Sequence, residues 1–138
     1  MRRMRLAMTG LAAAAAAVAV YLFVAPDGAD GPGGPGGDEV VIPALSDSGA
    51  RGQVAYGRVC ASCHGDRIDG TDKGPPLMHP IYNPGHHGDA SFVTATRRGA
   101  KGHHWPFGDM KPVEGVSDAE LGEIIGFVRE VQKANGLF

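Results

Sequence analysis

Two cysteines are all that this 138-residue chain contains, and both lie within one five-residue stretch, Cys60 to His64. That excludes a disulfide framework as the source of stability. Aromatic residues make up only 7%, so few large side chains are available to fill a core. The formal charge is −2, and without a basic stripe the chain has no footprint for a nucleic-acid partner. No segment alternates apolar and polar residues at the strand period, which leaves helices and loops as the building material. Glycine and proline are abundant instead, 22 and 10 residues, so much of the chain must be turn, loop or linker.

The N-terminus reads as a targeting segment, residues 1–25. Arg2, Arg3 and Arg5 precede an uncharged run from Leu6 to Ala25. A cleaved secretory leader would use Ala17-Val18-Ala19 as its small-residue site. Cleavage there would leave Val20-Tyr21-Leu22-Phe23-Val24 at the mature terminus, which favours an uncleaved signal anchor, a run just long enough to cross a bilayer as a transmembrane helix. Either route keeps the arginines in the cytoplasm and exports the remainder, placing it on the periplasmic side of a membrane. Residues 26–49, rich in glycine and proline, read as a flexible linker.

The folded domain is expected over residues 50–138, which is small for a self-sufficient core. A first helix is expected from about Arg51 to Ala61, with Val54, Ala55 and Val59 as apolar positions. A second is expected from an N-cap at Asp89 to a C-cap at Gly99, carrying Phe92, Val93 and Ala95. The third is the best marked: Ser117 and Glu120 form a capping box, and Leu121, Ile124, Ile125, Val128 and Val131 recur at helical spacing up to Asn135-Gly136. The connection from Gly65 to Gly88 is too long to be structureless unless something organises it.

Cys60-Ala61-Ser62-Cys63-His64 has the C-x-x-C-H spacing of a c-type haem attachment site. On a helical turn, positions i, i+3 and i+4 share one face. Both sulfurs can then form thioethers with the haem vinyl groups while the imidazole meets the iron. A thioredoxin-type dithiol would need a βαβ setting, which is not visible. Half of a zinc site is the other rival, with two histidines completing it. Such a site would leave the helical layout and the methionines unused. Opposite the proximal histidine, haem iron commonly takes a methionine. Met78 is close to His64 in sequence, too near for an easy crossing to the far haem face. Met110, in a loop stiffened by Pro112, is the expected distal ligand, and Met78 a packing residue.

Cys60 to His64, the element Gly74, Pro75 and Leu77, the loop Met110 and the capped C-terminal helix together resemble the class I cytochrome c family, in the same order along nearly all of the exported domain. The resemblance implies an all-α fold of three main helices wrapped around one covalent haem, with long loops. It implies that the first and last helices cross, with Gly52 and Tyr56 meeting the Phe127 region. It also implies that the Pro75 carbonyl accepts a hydrogen bond from His64 Nδ1. The histidine-rich middle and Lys111, between Met110 and Pro112, depart from simpler members.

The expected function is therefore single-electron transfer without substrate chemistry, not an enzyme. The iron is held by His64 and Met110, and the domain is tethered to the membrane near its redox donor and acceptor proteins. A haem subunit of a larger oxidase or dehydrogenase is the alternative. A haem-plus-copper protein is another, because His86, His87, His103 and His104 offer imidazoles for a second metal. Loop histidines that bind backbone, pack beside Trp105 or contact haem propionates are the plainer reading. Were His103 or His104 the distal ligand, the potential would fall; were that face open, the protein would be an enzyme or sensor. Asp66, Asp69 and Asp72 lack the spacing of a calcium loop and read as a solvated turn. Arg97, Arg98 and Lys101 either pair with propionates or face water. Basic and acidic residues balance from Arg51 onward, so docking should rest on a local patch without long-range steering.

Overall fold

The computed structural model describes residues 39–138. The leader and most of the linker lie outside the described residues. Among the described residues no helix is long and apolar enough to cross a membrane.

Four α-helices form the domain: α1, Asp47–Val59; α2, Ala61–His64; α3, Asp89–Arg98; and α4, Asp118–Ala134, with a 3₁₀ turn at Pro80–Tyr82 between α2 and α3. No strand is present among the described residues. The one extended pairing among them is an isolated antiparallel bridge between Ala100 and Met110.

The helix α4 forms as its sequence dictates. The Ser117 side chain accepts from the Glu120 N–H and the Glu120 carboxylate accepts from the Ser117 N–H, so two otherwise orphan donors are satisfied at once. Its apolar stripe, Leu121, Ile124, Ile125, Val128 and Val131, is buried throughout, and Phe127 joins it at 0% exposure. Gly136, at φ 73°, takes the left-handed conformation that ends the helix.

The helix α1 starts earlier than composition suggests. Ser46 caps it by accepting from Gly49 N. Glu130 of α4 in turn accepts from the Ser46 hydroxyl at 2.6 Å and its N–H at 3.0 Å. A boundary placed at residue 49 therefore falls inside α1. The preceding residues are held too. Val41 exchanges two hydrogen bonds with the Asn135 side chain at 2.7–2.8 Å, and Val40, Ile42 and Leu45 pack on the core. Val54, expected to point inward, is 77% exposed; Ala55 and Tyr56 supply the buried face.

The helices α1 and α4 cross at Gly52. A Cβ there would lie 2.0 Å from the Glu123 carbonyl oxygen, so only glycine permits the approach. Beside it the Tyr56 and Phe127 rings meet at 5.3 Å, tilted by 56°. The ion pairs Arg51–Glu123 and Arg58–Glu120 flank the crossing. The helix α3 begins one residue earlier than expected: Gly88 is its N-cap and Asp89 its first residue, with Gly99 closing it at φ 77°. It leans on α4 through Arg129, which bonds Asp89 and sits 4.8 Å above the Phe92 ring.

Candidate functional site

The C-x-x-C-H stretch is a helical turn with a kink at its start. Cys60 still donates to Tyr56 O, but its φ of −119° ends α1 and re-aims the chain into α2. Cys63 and His64 both donate to the Cys60 carbonyl, at 3.1 and 3.0 Å. Ala61 is buried and Ser62 exposed. Because a helix ends with unpaired carbonyls, the exit of this turn needs partners, and three come from the chain around it. Thr71 Oγ1 donates to Cys63 O, Gly70 N to His64 O, and the buried Tyr56 hydroxyl to Gly65 O, at 2.6, 2.7 and 2.9 Å. Burial, reinforced by nearby Cys60 and acidic groups, drives the Tyr56 phenol far above its ordinary range, so it is a permanent donor.

The loop that follows is folded back on this turn. Ile68, fully buried, sits at φ 56°, a left-handed conformation rare for a β-branched residue. Its carbonyl accepts from both Leu77 and Met78. Gly74 lies where a Cβ would come within 2.9 Å of Cys63 O. That approach brings the Pro75 carbonyl 2.9 Å from His64 Nδ1. A carbonyl can only accept, so Nδ1 carries the proton and Nε2 keeps a free lone pair. Burial lowers the His64 pKa against the opposing pull of the Pro75 bond, which suits a neutral ligand.

His64 and Pro75 form part of the wall of an apolar cavity of about 650 Å³, with Cys60 and Met110 also lining it. That volume falls within the roughly 300–1,000 Å³ of small-molecule and cofactor sites. Cys63 is solvent-exposed and is not part of this wall. Met110 is held by its bridge to Ala100, at 3.0 and 2.9 Å, and by Gly99, where a Cβ would meet Met110 O at 2.5 Å. Met78 packs on the core and does not line the cavity.

The donor set fits a covalently held haem. Two free thiols and an oriented imidazole occupy one turn, and a thioether-bearing side chain lines the same cavity. The wall also carries a buried Trp105 indole N–H, close to the Tyr82 hydroxyl but without a well-formed hydrogen bond among the described residues, a donor suited to a carboxylate such as a propionate. Burial and the adjacent Cys63 push the Cys60 thiol up to about 11. A redox dithiol or zinc site wants the thiolate instead.

The basic residues behave otherwise than a propionate-binding set. Arg97 bonds Asp118 and the Val116 carbonyl, Lys101 bonds Asp109, and Arg98 is exposed. The site's main organiser on α4 was missed in the sequence. Arg129 donates to the carbonyls of Tyr82 and His87 as well as to Asp89 and Gln132. Gln132, fully buried, donates to Leu77 O. Their position beside the apolar stripe, at i+4 and i+7 from Ile125, was the available signal.

The four loop histidines come together. The ring centroids of His86 and His87 are 4.6 Å apart, those of His103 and His104 4.1 Å, and those of His87 and His104 5.4 Å. His79 is outside the convergent group, edge-on to Trp105 at 4.9 Å. Among the described residues, Asp66, Asp69 and Asp72 form no such convergent group.

A family model described as cytochrome c matches residues 49–132, from the first turn of α1 nearly to the end of α4. No curated protein and no solved structure matches the chain.

Proposed function

Because the chain belongs to the cytochrome c family, we propose that it is a single-electron carrier with one haem c attached through Cys60 and Cys63 and ligated by His64 and Met110. The observation that carries this reading is the pairing of His64 and Met110 on one apolar cavity, the first with its Nε2 left free by the Pro75 bond. When bound, the haem supplies a one-electron iron couple. The chain's part is to fix both ligands and to keep water from the metal. Thioether ligation and a dry wall favour the reduced, less charged iron. With His64 and Met110 both holding the haem, no open position would be left for a substrate, so the protein would act as a carrier rather than an enzyme.

The donor and acceptor would be redox proteins docking at the cavity mouth. An N-terminal anchor and linker would hold the domain beside them on the periplasmic face and raise its effective concentration. The absorption spectrum of the oxidised protein tests the ligation. The weak far-red sulfur-to-iron charge-transfer band is expected, and Met110→Ala should abolish it while Met78→Leu keeps it. A wild-type spectrum without that band rejects Met110 as the ligand.

A further inference from the structure

The electron-carrier reading leaves the cluster of loop histidines without a task. The ligand nitrogens of His86, His87 and His104 lie within 4.8 Å of one another. Three nitrogens around a tetrahedral zinc are about 3.3 Å apart, given Zn–N bonds near 2.0–2.1 Å. His86 and His104 are exposed, so rotation of their side chains can close that gap without disturbing the fold.

Three features make the group more than a chance meeting of surface side chains. His87 is half-buried, and its Nδ1 donates to Ile81 O at 2.6 Å, which leaves Nε2 as the ligand atom; metal-bound histidines are usually oriented by such a bond. The backbone beneath is pinned, for His86 N and His87 N both donate to Asn83 O, and Arg129 grips the His87 carbonyl. The second loop is fixed as firmly. The Ala100–Met110 bridge closes it, and Asp109 accepts from Gly102 N and Lys101.

We propose that His86, His87 and His104 form an exchangeable tris-imidazole site for a divalent transition metal, zinc or copper, at the rim of the cavity. Imidazole-only ligation selects such metals over calcium or magnesium, which want oxygen donors. The acids flanking the two loops, Asp89 and Asp109, are engaged by Arg129 and Lys101. His103 lies outside the convergent set, with its Nδ1 bonded to Lys101 O. Since His87 and His104 also line the cavity, the bound dication would sit beside the redox centre. The site rests on the proposed ligation only in that His104 must be free of the haem iron, which the far-red band of the wild-type spectrum tests separately.

The test is equilibrium dialysis of the tag-free, haem-loaded full chain against zinc, with bound metal counted by elemental analysis. One zinc per chain is expected. His86→Ala and His104→Ala should each weaken binding at least about tenfold, while His79→Asn should not change it. Copper should displace the zinc one for one, following the Irving–Williams order. The electron paramagnetic resonance spectrum of the copper form of the wild-type protein should show coupling to imidazole nitrogen. A chain that retains no zinc, binding that survives in both variants, or a copper spectrum without nitrogen coupling overturns the proposal.

Discussion

Replacing Gly52 with alanine adds one methyl group at the point where α1 and α4 touch. Its carbon would stand 2.0 Å from Glu123 O and 2.5 Å from Glu123 C. Both are main-chain atoms, so no rotamer change removes the overlap and the helices must separate by about 1 Å. A gap of that size forfeits a quarter to a half of each contact's attraction across the interface. Overpacking costs typically about 1–3 kcal/mol, and this clash, against backbone, belongs at the upper end. Alanine's greater helix propensity returns about 1 kcal/mol. The net expectation is a loss of about 2 kcal/mol, or a fall in Tm of about 8–16 °C for a domain of this size. Gly57, on the same helix, is the internal control. A Cβ there meets nothing within 4 Å, so Gly57→Ala should raise Tm by about 4–8 °C through propensity alone. Urea and thermal unfolding of the haem-loaded proteins, followed by circular dichroism, would measure both. A Gly52→Ala protein as stable as the wild type refutes the close crossing.

Tyr56→Phe removes the hydroxyl bond to Gly65 O and leaves that carbonyl with only its longer bond from Ile68 N, at an expected cost of about 0.5–1.5 kcal/mol by urea denaturation; no change would mean that the exit of the attachment turn is held elsewhere. Wild-type haem should stay with the chain in acidified acetone, whereas the Cys60→Ala/Cys63→Ala double variant should release it, and release from the wild type would rule out thioether attachment. Glu120 is held below the usual carboxylate range, first by its bonds to the Ser117 N–H and hydroxyl and then by Arg58. A depressed folded-state pKa contributes stability above the unfolded pKa that is lost as pH falls through the folded one. Wild type should therefore be more stable than Glu120→Gln at neutral pH, with the difference closing on acidification below the usual carboxylate range; a gap that does not depend on pH would contradict this.

What the sequence made legible were features whose cause is local. The capping box of α4, its apolar period and the C-x-x-C-H spacing are each written within one or two turns of chain. The family resemblance supplied the crossing of Gly52 and Tyr56 with the Phe127 region and the Pro75–His64 bond, and both are present. Features with a distant cause escaped. The start of α1 at Asp47 depends on Ser46 meeting Glu130, 84 residues away. The outward turn of Val54 follows from Gly52 facing α4, which a count of apolar residues does not reveal. The role of Arg129 and Gln132 escaped because their acceptors are loop carbonyls far away in sequence. The convergence of the histidine pairs likewise required two loops to be folded before it could be seen.

The fastening of residues 39–46 also fixes how mechanical force enters the domain. Tension applied to the chain ahead of residue 39 would first load the bonds of Arg67 to Glu39 and to the Val40 carbonyl, then the paired bonds between Val41 and Asn135, then the two-pronged grip of Glu130 on Ser46. Beyond these, the interlock at Gly52 must slip before strain arrives at Cys60. Behind the Arg67 fastening, three successive latches anchored on the C-terminal helix thus stand between any tug on a tether and the sulfur that would carry the prosthetic group.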